Sequence, residues 1–206
     1  MNQAQSSRLQ LLHQYQLALR ISKSVLQFFN TPWLPRVWSS ENLSIVGSGI
    51  SDQSLKTLNL SAQFDTNLSQ TINSSGHGQD SSTPSAHVAT LGANTSSLVD
   101  VCCRKLGPGV YNETLFCLGI VLLEIAHCES FERMRQGDPD EFYAAHRIVR
   151  GPPPLGPKYR KIVERCLRCD FGAGSEDLEN DELQRAVWSK VVYPLEALVR
   201  DISQES

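Results

Sequence analysis

Cys166 and Cys169 form a Cys-x-x-Cys pair, the chain's most recognisable chemical motif. Such a pair can supply half of a tetrahedral zinc site or act as a redox-active dithiol. A zinc site needs a second pair of ligands, and neither Cys102-Cys103 nor His127-Cys128 has suitable spacing. Buried free cysteine behaves as a small hydrophobic residue. We therefore predict no metal site, with Cys166 in the core and Cys169 near a helix end.

The other nucleophile and base types do not form a recognisable catalytic motif. The sequence has no G-x-S-x-G, the turn that exposes the nucleophile of serine hydrolases. The histidines are scattered along the chain, at His13, His77, His87, His127 and His146. Nothing in these positions supports nucleophilic catalysis.

Composition excludes several classes of partner. The net charge of −3 over 206 residues and the lack of a basic run argue against nucleic-acid binding. No apolar run reaches the ~18 residues that span a bilayer, so we predict no membrane span. The polar N-terminus lacks the apolar core of a secretory signal. Six cysteines in such a chain favour reduced thiols, and we predict a cytoplasmic protein.

Hydrophobic periodicity predicts a mainly α fold, a helical bundle with a small β element near the front. The stretch 115–126 is apolar on nearly every helical face, which is typical of a helix in the middle of a domain. Asp138 precedes another helical pattern and is a candidate N-cap. We predict helices at 8–30, 112–129, 138–149, 158–169 and 178–202, the last bent at Pro194, and short strands at 43–46 and 58–60.

A polar segment divides the chain. Residues 65–97 are dominated by Ser, Thr, Asn, Gln and Gly, and they contain too little apolar surface to offset the entropy of ordering. We predict a disordered insertion there. The organisation is then 1–64 (N-terminal helix and a loop region), 65–97 (insertion) and 98–206 (helical core).

Three stretches resemble the large lobe of protein kinases. Residues 112–129, NETLFCLGIVLLEIAHCE, resemble that lobe's central helix, and residues 159–170 resemble a later large-lobe segment. Residues 36–42, RVWSSEN, with the strand that follows, resemble the catalytic loop. The resemblance implies a protein-kinase-like C-lobe that lacks an N-lobe.

A narrower resemblance combines T-P-W-L at 31–34, W-S at 38–39, residues 112–119 and residues 159–171. Together these resemble a filamentous-fungal domain family of unknown function that looks like a degenerate kinase C-lobe. In that family the domain commonly follows a HeLo-like or prion-inhibition-type helical region. The resemblance therefore implies a fungal signalling setting.

The catalytic loop of kinases reads H-R-D-x-x-x-x-N. On that spacing Pro35 takes the histidine place, Arg36 and Asn42 are retained, and Val37 replaces the catalytic aspartate. Valine can neither accept a proton nor orient a hydroxyl, so the resemblance implies no enzyme activity and no ATP or Mg cofactor. Arg36 and Asn42 are then remnants of the loop, although Asn42 is as well explained by capping a turn.

Two further residue sets look catalytic in isolation. Asp170-Phe171-Gly172 spells the kinase metal-binding motif, but it follows the central helix instead of preceding it. We interpret it as a helix end with Gly172 in the left-handed conformation. Glu124 lies late in the apolar helix, where a carboxylate needs a partner. We expect a structural partner such as an arginine.

These observations predict a non-catalytic, pseudokinase-like signalling or interaction module that binds a protein partner or a missing N-terminal domain. Trp33, Leu34 and Trp38 are the candidate partner surface, because a lobe without its companion exposes apolar residues. One alternative is an atypical or split nucleotide-dependent phosphotransferase, supported by Arg36 and Asn42. Another is a C-terminal fragment of a longer protein, derived from a truncated gene model.

Overall fold

The computed structural model describes residues 3–40, 43–45, 58–60 and 109–204. The predicted insertion at 65–97 lies outside the described residues, as do Asn42, Cys102 and Cys103. The described part is mainly α-helical, as predicted. Its elements run α1 (Gln3–Phe28), β1 (Leu43–Ile45), β2 (Leu58–Leu60), α2 (Glu113–His127), α3 (Phe131–Met134), α4 (Glu141–Val149), α5 (Gly156–Arg168), α6 (Asp181–Val187), a π-helical turn (Trp188–Val192) and α7 (Tyr193–Gln204).

The small β element near the front is confirmed. β1 and β2 pair antiparallel, with Leu43 opposite Leu60 and Ile45 opposite Leu58. Both strands lie within the ranges predicted for them, 43–46 and 58–60.

Helix α2 is the buried centre of the fold, as its all-round hydrophobicity predicted. The Asn112 side chain accepts a hydrogen bond from the Leu115 amide at 2.9 Å and so caps the first turn. The helix ends at Cys128, whose φ of 52° is left-handed and breaks the helical path. Most of its residues are buried: Thr114, Leu115, Phe116, Cys117, Leu118, Gly119, Val121, Leu122, Leu123, Ile125 and Ala126.

Helix α1 packs against α2 and α7 through one narrow stripe. Tyr15, Ala18, Ile21 and Val25 are its buried apolar residues, and they recur every three or four positions. The Tyr15 hydroxyl donates to the carbonyl of Leu155 at 2.7 Å, which ties the helix to the start of α5. Leu17, Leu19 and Leu26 are partly buried at the edges of this stripe and also pack against the core.

The N-cap of α4 lies two residues later than we predicted, so the expected cap at Asp138 is wrong. Asp140 is the N-cap, and its Oδ1 accepts from the amides of Phe142 at 2.8 Å and Tyr143 at 3.2 Å. A residue that precedes proline is biased towards extended backbone, and Asp138 precedes Pro139. Asp138 instead pairs with Arg147 at 2.8 Å.

Helix α5 is strongly amphipathic, and its predicted apolar face is confirmed. Its buried residues are Tyr159, Ile162, Val163, Cys166 and Leu167. The Tyr159 hydroxyl donates to the carbonyl of Leu122 at 2.9 Å in the core. Burial raises the pKa of this phenol well above its usual value, so it remains a protonated donor.

Helices α2 and α5 cross at Gly119. A β-carbon at this position would lie 2.7 Å from Leu167 Cδ2 and 3.2 Å from the Leu167 backbone nitrogen. Real β-carbons essentially never lie within 3.0 Å of another heavy atom, so a larger residue at position 119 would force Leu167 to shift. The small-residue step in the central helix therefore sets the distance between the two most heavily packed helices.

The last predicted helix is divided into three pieces. Asn180 caps α6 by accepting from the Glu182 amide at 2.8 Å. A π-helical turn separates α6 from α7, and Pro194 follows it at once. Proline has no amide hydrogen and clashes with the carbonyl four residues earlier, here Lys190 in the π-helical turn. The irregularity that we predicted at Pro194 is therefore a widened turn before it.

We expect Gly119→Ala to reduce the free energy of unfolding by about 1–3 kcal/mol, because overpacking outweighs the better helix propensity of alanine. Denaturant unfolding followed by circular dichroism measures this. The control is a double-mutant cycle with Leu167→Ala, in which the double variant should lose less stability than the sum of the single losses. Additive losses, or a stabilised Gly119→Ala, would contradict the close crossing.

Candidate functional site

The segment 31–40, which follows α1, lies against the N-terminal end of α2. Thr114 Oγ1 donates to the carbonyl of Arg36 at 3.3 Å. In return, Trp38 Nε1 donates to the carbonyl of Thr114, also at 3.3 Å. Thr114 and Trp38 are both buried, with 4% and 2% of their surfaces exposed. These reciprocal bonds are stronger for being shielded from water, and they fix the segment to the central helix.

A second segment is tied to the same helix end. Asn112, besides capping α2, donates from Nδ2 to the carbonyl of Glu176 at 2.9 Å. This bond brings the acidic stretch 176–179 beside the first turn of α2. A single side chain therefore satisfies the helix terminus and positions a neighbouring loop.

An open cleft of about 900 Å³ lies between these segments. Its described lining residues carry four carboxylates and one guanidinium, and together these groups produce a negative field. Such a field favours cationic groups and opposes polyphosphates. The lining residues are Phe29, Asn30, Thr31, Pro32, Leu34, Arg36, Val110, Tyr111, Asn112, Glu113, Thr114, Glu176, Asp177 and Glu179.

Of the two predicted remnants of a catalytic loop, only Arg36 lies among the described residues. Arg36 is exposed and lines the cleft, where it is the single cation among the described lining residues. Asn42 lies outside the described residues. Val37, at the position of the expected aspartate, is half-buried and packs on the hydrophobic core. The side chain at that position therefore packs like any other core-facing valine.

The expected partner surface needs a correction. Leu34 and Trp38 are buried, at 6% and 2% exposure, so they do not form an exposed apolar patch. The physical reason is that the chain's own core and the carbonyl of Thr114 already cover them. Trp33 remains 56% exposed and is the one of the three that reaches the surface. Its role as a partner contact stays a prediction.

Thr114 and Asn112 hold the two loops of the site in place, although neither is among the predicted site residues. For Asn112 a signal existed, since asparagine directly before an apolar helical run is a preferred N-cap. For Thr114 none existed, because its partner Arg36 lies far away in the sequence. The same applies to the acidic residues 176–179, which reach the cleft only through the fold.

Asp170-Phe171-Gly172 is part of a turn after α5. Phe171 is buried in the core, and its carbonyl accepts from Lys190 Nζ. Gly172 is left-handed as predicted, with φ of 61°, but it does not end the helix. Cys169 does, with φ of 52° and its amide bonded to the carbonyl of Arg165. The predicted helix-ending role of Gly172 is therefore wrong.

Glu124 has a structural partner, but the partner is a backbone amide and not the expected arginine. Its Oε1 accepts from the amide of Phe131 at 2.7 Å. Phe131 is the first residue of α3, where amides have no partner within the helix. Glu124 therefore connects the last turns of α2 to the start of α3.

The Cys-x-x-Cys pair is arranged for packing. Cys166 is buried, and burial raises the pKa of its thiol, with a further rise from neighbouring Cys169. Burial, and then the carboxylates of Glu176 and Asp170, raise the pKa of Cys169 to about 11. Both thiols are therefore protonated near neutral pH, whereas nucleophilic attack and metal binding need the thiolate.

No cluster of three or more His, Cys, Asp or Glu residues arranged to hold a metal ion occurs among residues 3–40, 43–45, 58–60 and 109–204. Within the same ranges, no helix combines the length and the apolar character needed to cross a bilayer.

The fold and site define a mainly α-helical domain built around one buried helix, with an acidic cleft at that helix's N-terminal end. A family model described as "Domain of unknown function (DUF7580)" matches residues 1–201. The chain belongs to this family, and the prediction that it is a member of a domain family of unknown function is confirmed. No curated protein and no solved structure matches the chain.

We expect Trp38→Phe to destabilise the protein by about 1–3 kcal/mol, because it removes the buried hydrogen bond to the carbonyl of Thr114 and puts a smaller ring in the place of the indole. Trp33→Phe, a matched substitution five positions away, should cost less than about 0.5 kcal/mol because the ring is largely exposed. Thermal and urea unfolding of the two variants measure the difference. Equal losses would contradict the assignment of Trp38 to the core.

We expect alkylation to distinguish the four described cysteines. Cys128 is exposed and should react first with iodoacetamide at about pH 7, whereas Cys166 should react last. The rate at Cys169 should rise about tenfold per pH unit as the pH approaches its raised pKa, because only the thiolate attacks. Mass spectrometry of timed samples at about pH 7 and about pH 9 measures both. Rapid labelling of Cys166 in the folded protein would contradict its burial.

Proposed function

We propose that this chain is a non-catalytic, pseudokinase-like interaction module that acts by binding protein partners. The observation that carries the proposal is the packing of segment 31–40. The resemblance assigns the catalytic loop to residues 36–42, which begin within this segment, yet Trp38 is buried and Val37 packs on the core. A catalytic carboxylate at position 37 would need to face the cleft.

The arrangement of helices supports the kinase-like part of the proposal. The resemblance expects a buried central helix, with a preceding helix and a later helix against it and a loop at its N-terminal end. α2 is that buried helix, α1 and α5 pack on it, and Thr114 holds segment 31–40 at its start. The proposed fold is a protein-kinase-like C-lobe.

Electrostatics support the non-catalytic part. Catalysis of phosphoryl transfer depends on positioning and on neutralising the negative charge of the phosphates. The described lining of the cleft has one cationic side chain, Arg36, and four carboxylates. The carboxylates belong to Glu113, Glu176, Asp177 and Glu179, and their net negative charge repels a polyphosphate. Neutralisation would need added cations, and binding of Mg-ATP would have to overcome this repulsion.

The biological setting follows from the same resemblance. It implies a fungal protein that acts in stress, self/non-self or cell-death signalling, and the cysteine content favours the reducing cytoplasm. Within such a pathway a module of this kind transmits a signal through contacts, with no chemical step of its own. Its partner is another protein or an N-terminal domain.

The alternative function is an atypical or split nucleotide-dependent phosphotransferase. One observation favours it, because the exposed guanidinium of Arg36 lines the cleft, where it could contact a phosphate. A guanidinium binds phosphate in a bidentate geometry, so a single arginine can hold a weak anion site. The two functions make opposite predictions for nucleotide binding.

We expect millimolar Mg-ATP to leave the thermal unfolding temperature unchanged, because a ligand stabilises the native state only when it binds there. A ligand at a hundred times its Kd would add about 2.7 kcal/mol of stability, a shift that thermal scans readily detect. Arg36→Ala is the control. Stabilisation by Mg-ATP that disappears in Arg36→Ala, together with phosphate transfer to a general substrate, would support the phosphotransferase.

A further inference from the structure

A second surface feature is a groove of about 280 Å³ between α5 and α7. It shares no lining residue with the acidic cleft. One wall is basic and comes from Lys158, Lys161 and Arg165 of α5. The remaining lining is apolar: Ile162 of α5 and Pro194, Ala197 and Leu198 of α7.

The three cations form a row along α5. Their spacing of three and four residues puts them on one side of the helix. Within the described part of the chain, none of the three makes an ion pair. Their neighbours differ, since Arg160 pairs with Glu164 and Lys23 pairs with Glu196. In a chain of net charge −3, this row is a local reversal of sign with no acidic partner among the residues that the structure describes.

The apolar lining follows from residue size and helix spacing. Pro194, Ala197 and Leu198 lie three and four residues apart, so they share one face of α7. Ala197 has a small side chain between two larger ones, which leaves room for a side chain from outside. Ile162 is buried and closes the α5 side of the groove.

We propose that this groove binds an acidic amphipathic segment of a partner protein. An apolar side chain of that segment enters the groove over Ala197, and its Asp or Glu residues face Lys158, Lys161 and Arg165. Such helix-in-groove recognition combines apolar anchors with a complementary charged rim. The inference rests on the proposed function as an interaction module and gives its partner a chemical class.

The shape of the groove favours a peptide over an anionic membrane surface. A membrane-binding helix projects its apolar residues outward so that they enter the lipid. Here Ile162 is buried and the apolar residues line a recess, so a flat lipid surface could reach the cations but not the lining. A protruding side chain from a peptide can reach both.

The test uses a fluorescein-labelled helical peptide with Leu at every third and fourth position and Glu beside them. A matched peptide with Lys in place of Glu is the control. Fluorescence anisotropy should show saturable binding of the Glu peptide, weakened by salt, and much weaker binding of the Lys peptide. If neither peptide binds, or both bind equally, the proposal is overturned.

Two variants locate the site. Reversing the row with Lys158→Glu, Lys161→Glu and Arg165→Glu should weaken binding by about tenfold or more. The matched control, Arg133→Glu, Arg150→Glu and Arg185→Glu, makes the same change in net charge elsewhere and should have less than about a threefold effect. Ala197→Phe fills the groove without changing the charge and should also abolish binding. Equal effects of the two triple variants would overturn the proposal.

Vesicles of phosphatidylserine and phosphatidylcholine distinguish the membrane alternative. Co-sedimentation of the protein with them, lost in the reversed triple variant and accompanied by no peptide binding, would overturn the peptide proposal in favour of a lipid surface. The Mg-ATP experiment remains separate. Phosphate transfer would refute the proposed non-catalytic function, even if the groove binds the Glu peptide. Failure of the groove to bind the Glu peptide would overturn the peptide proposal but not the proposed non-catalytic function.

Discussion

The close crossing of α2 and α5 at Gly119 is the constraint on which the rest of the structure depends. Because these two helices meet with no β-carbon between them, Leu167 lies directly on the central helix. Tyr159 then reaches the carbonyl of Leu122, and the apolar face of α5 is completely covered. The row of cations flanks that covered face beside Ile162 and lies towards solvent and α7.

The two ends of α2 do different work. At the N-terminal end, Thr114 and Asn112 use side-chain hydrogen bonds to hold two loops that are distant in sequence. At the C-terminal end, Glu124 starts α3 and Cys128 ends α2, while Gln14 of α1 donates from Nε2 to the carbonyl of Ile125 at 2.7 Å and to Cys128 Sγ at 3.2 Å. The cleft forms at the N-terminal end, and three of the four carboxylates among its described lining residues come from the loop that Asn112 recruits.

Local patterns predicted elements well and contacts poorly. The apolar face of α5 and the burial of α2 follow from periodicity alone, since each depends on residues within one helix. The cap at Asp140 was missed because proline after Asp138 shifts the start of α4. Trp38 was expected at the surface because its partner Thr114 is remote in sequence. For the same reason the carboxylates of 176–179 could not be assigned to the cleft.

Asn112 also couples two structural features thermodynamically. Its oxygen accepts from the first turn of α2 and its nitrogen donates to Glu176, so fraying of that turn and release of the acidic loop each weaken the contact that supports the other. A ligand that binds the acidic loop therefore also changes the stability of the first turn of α2. Hydrogen exchange of the amides in that turn should then measure whether the cleft is occupied. The centre of the fold and its most charged surface thus belong to a single cooperative unit.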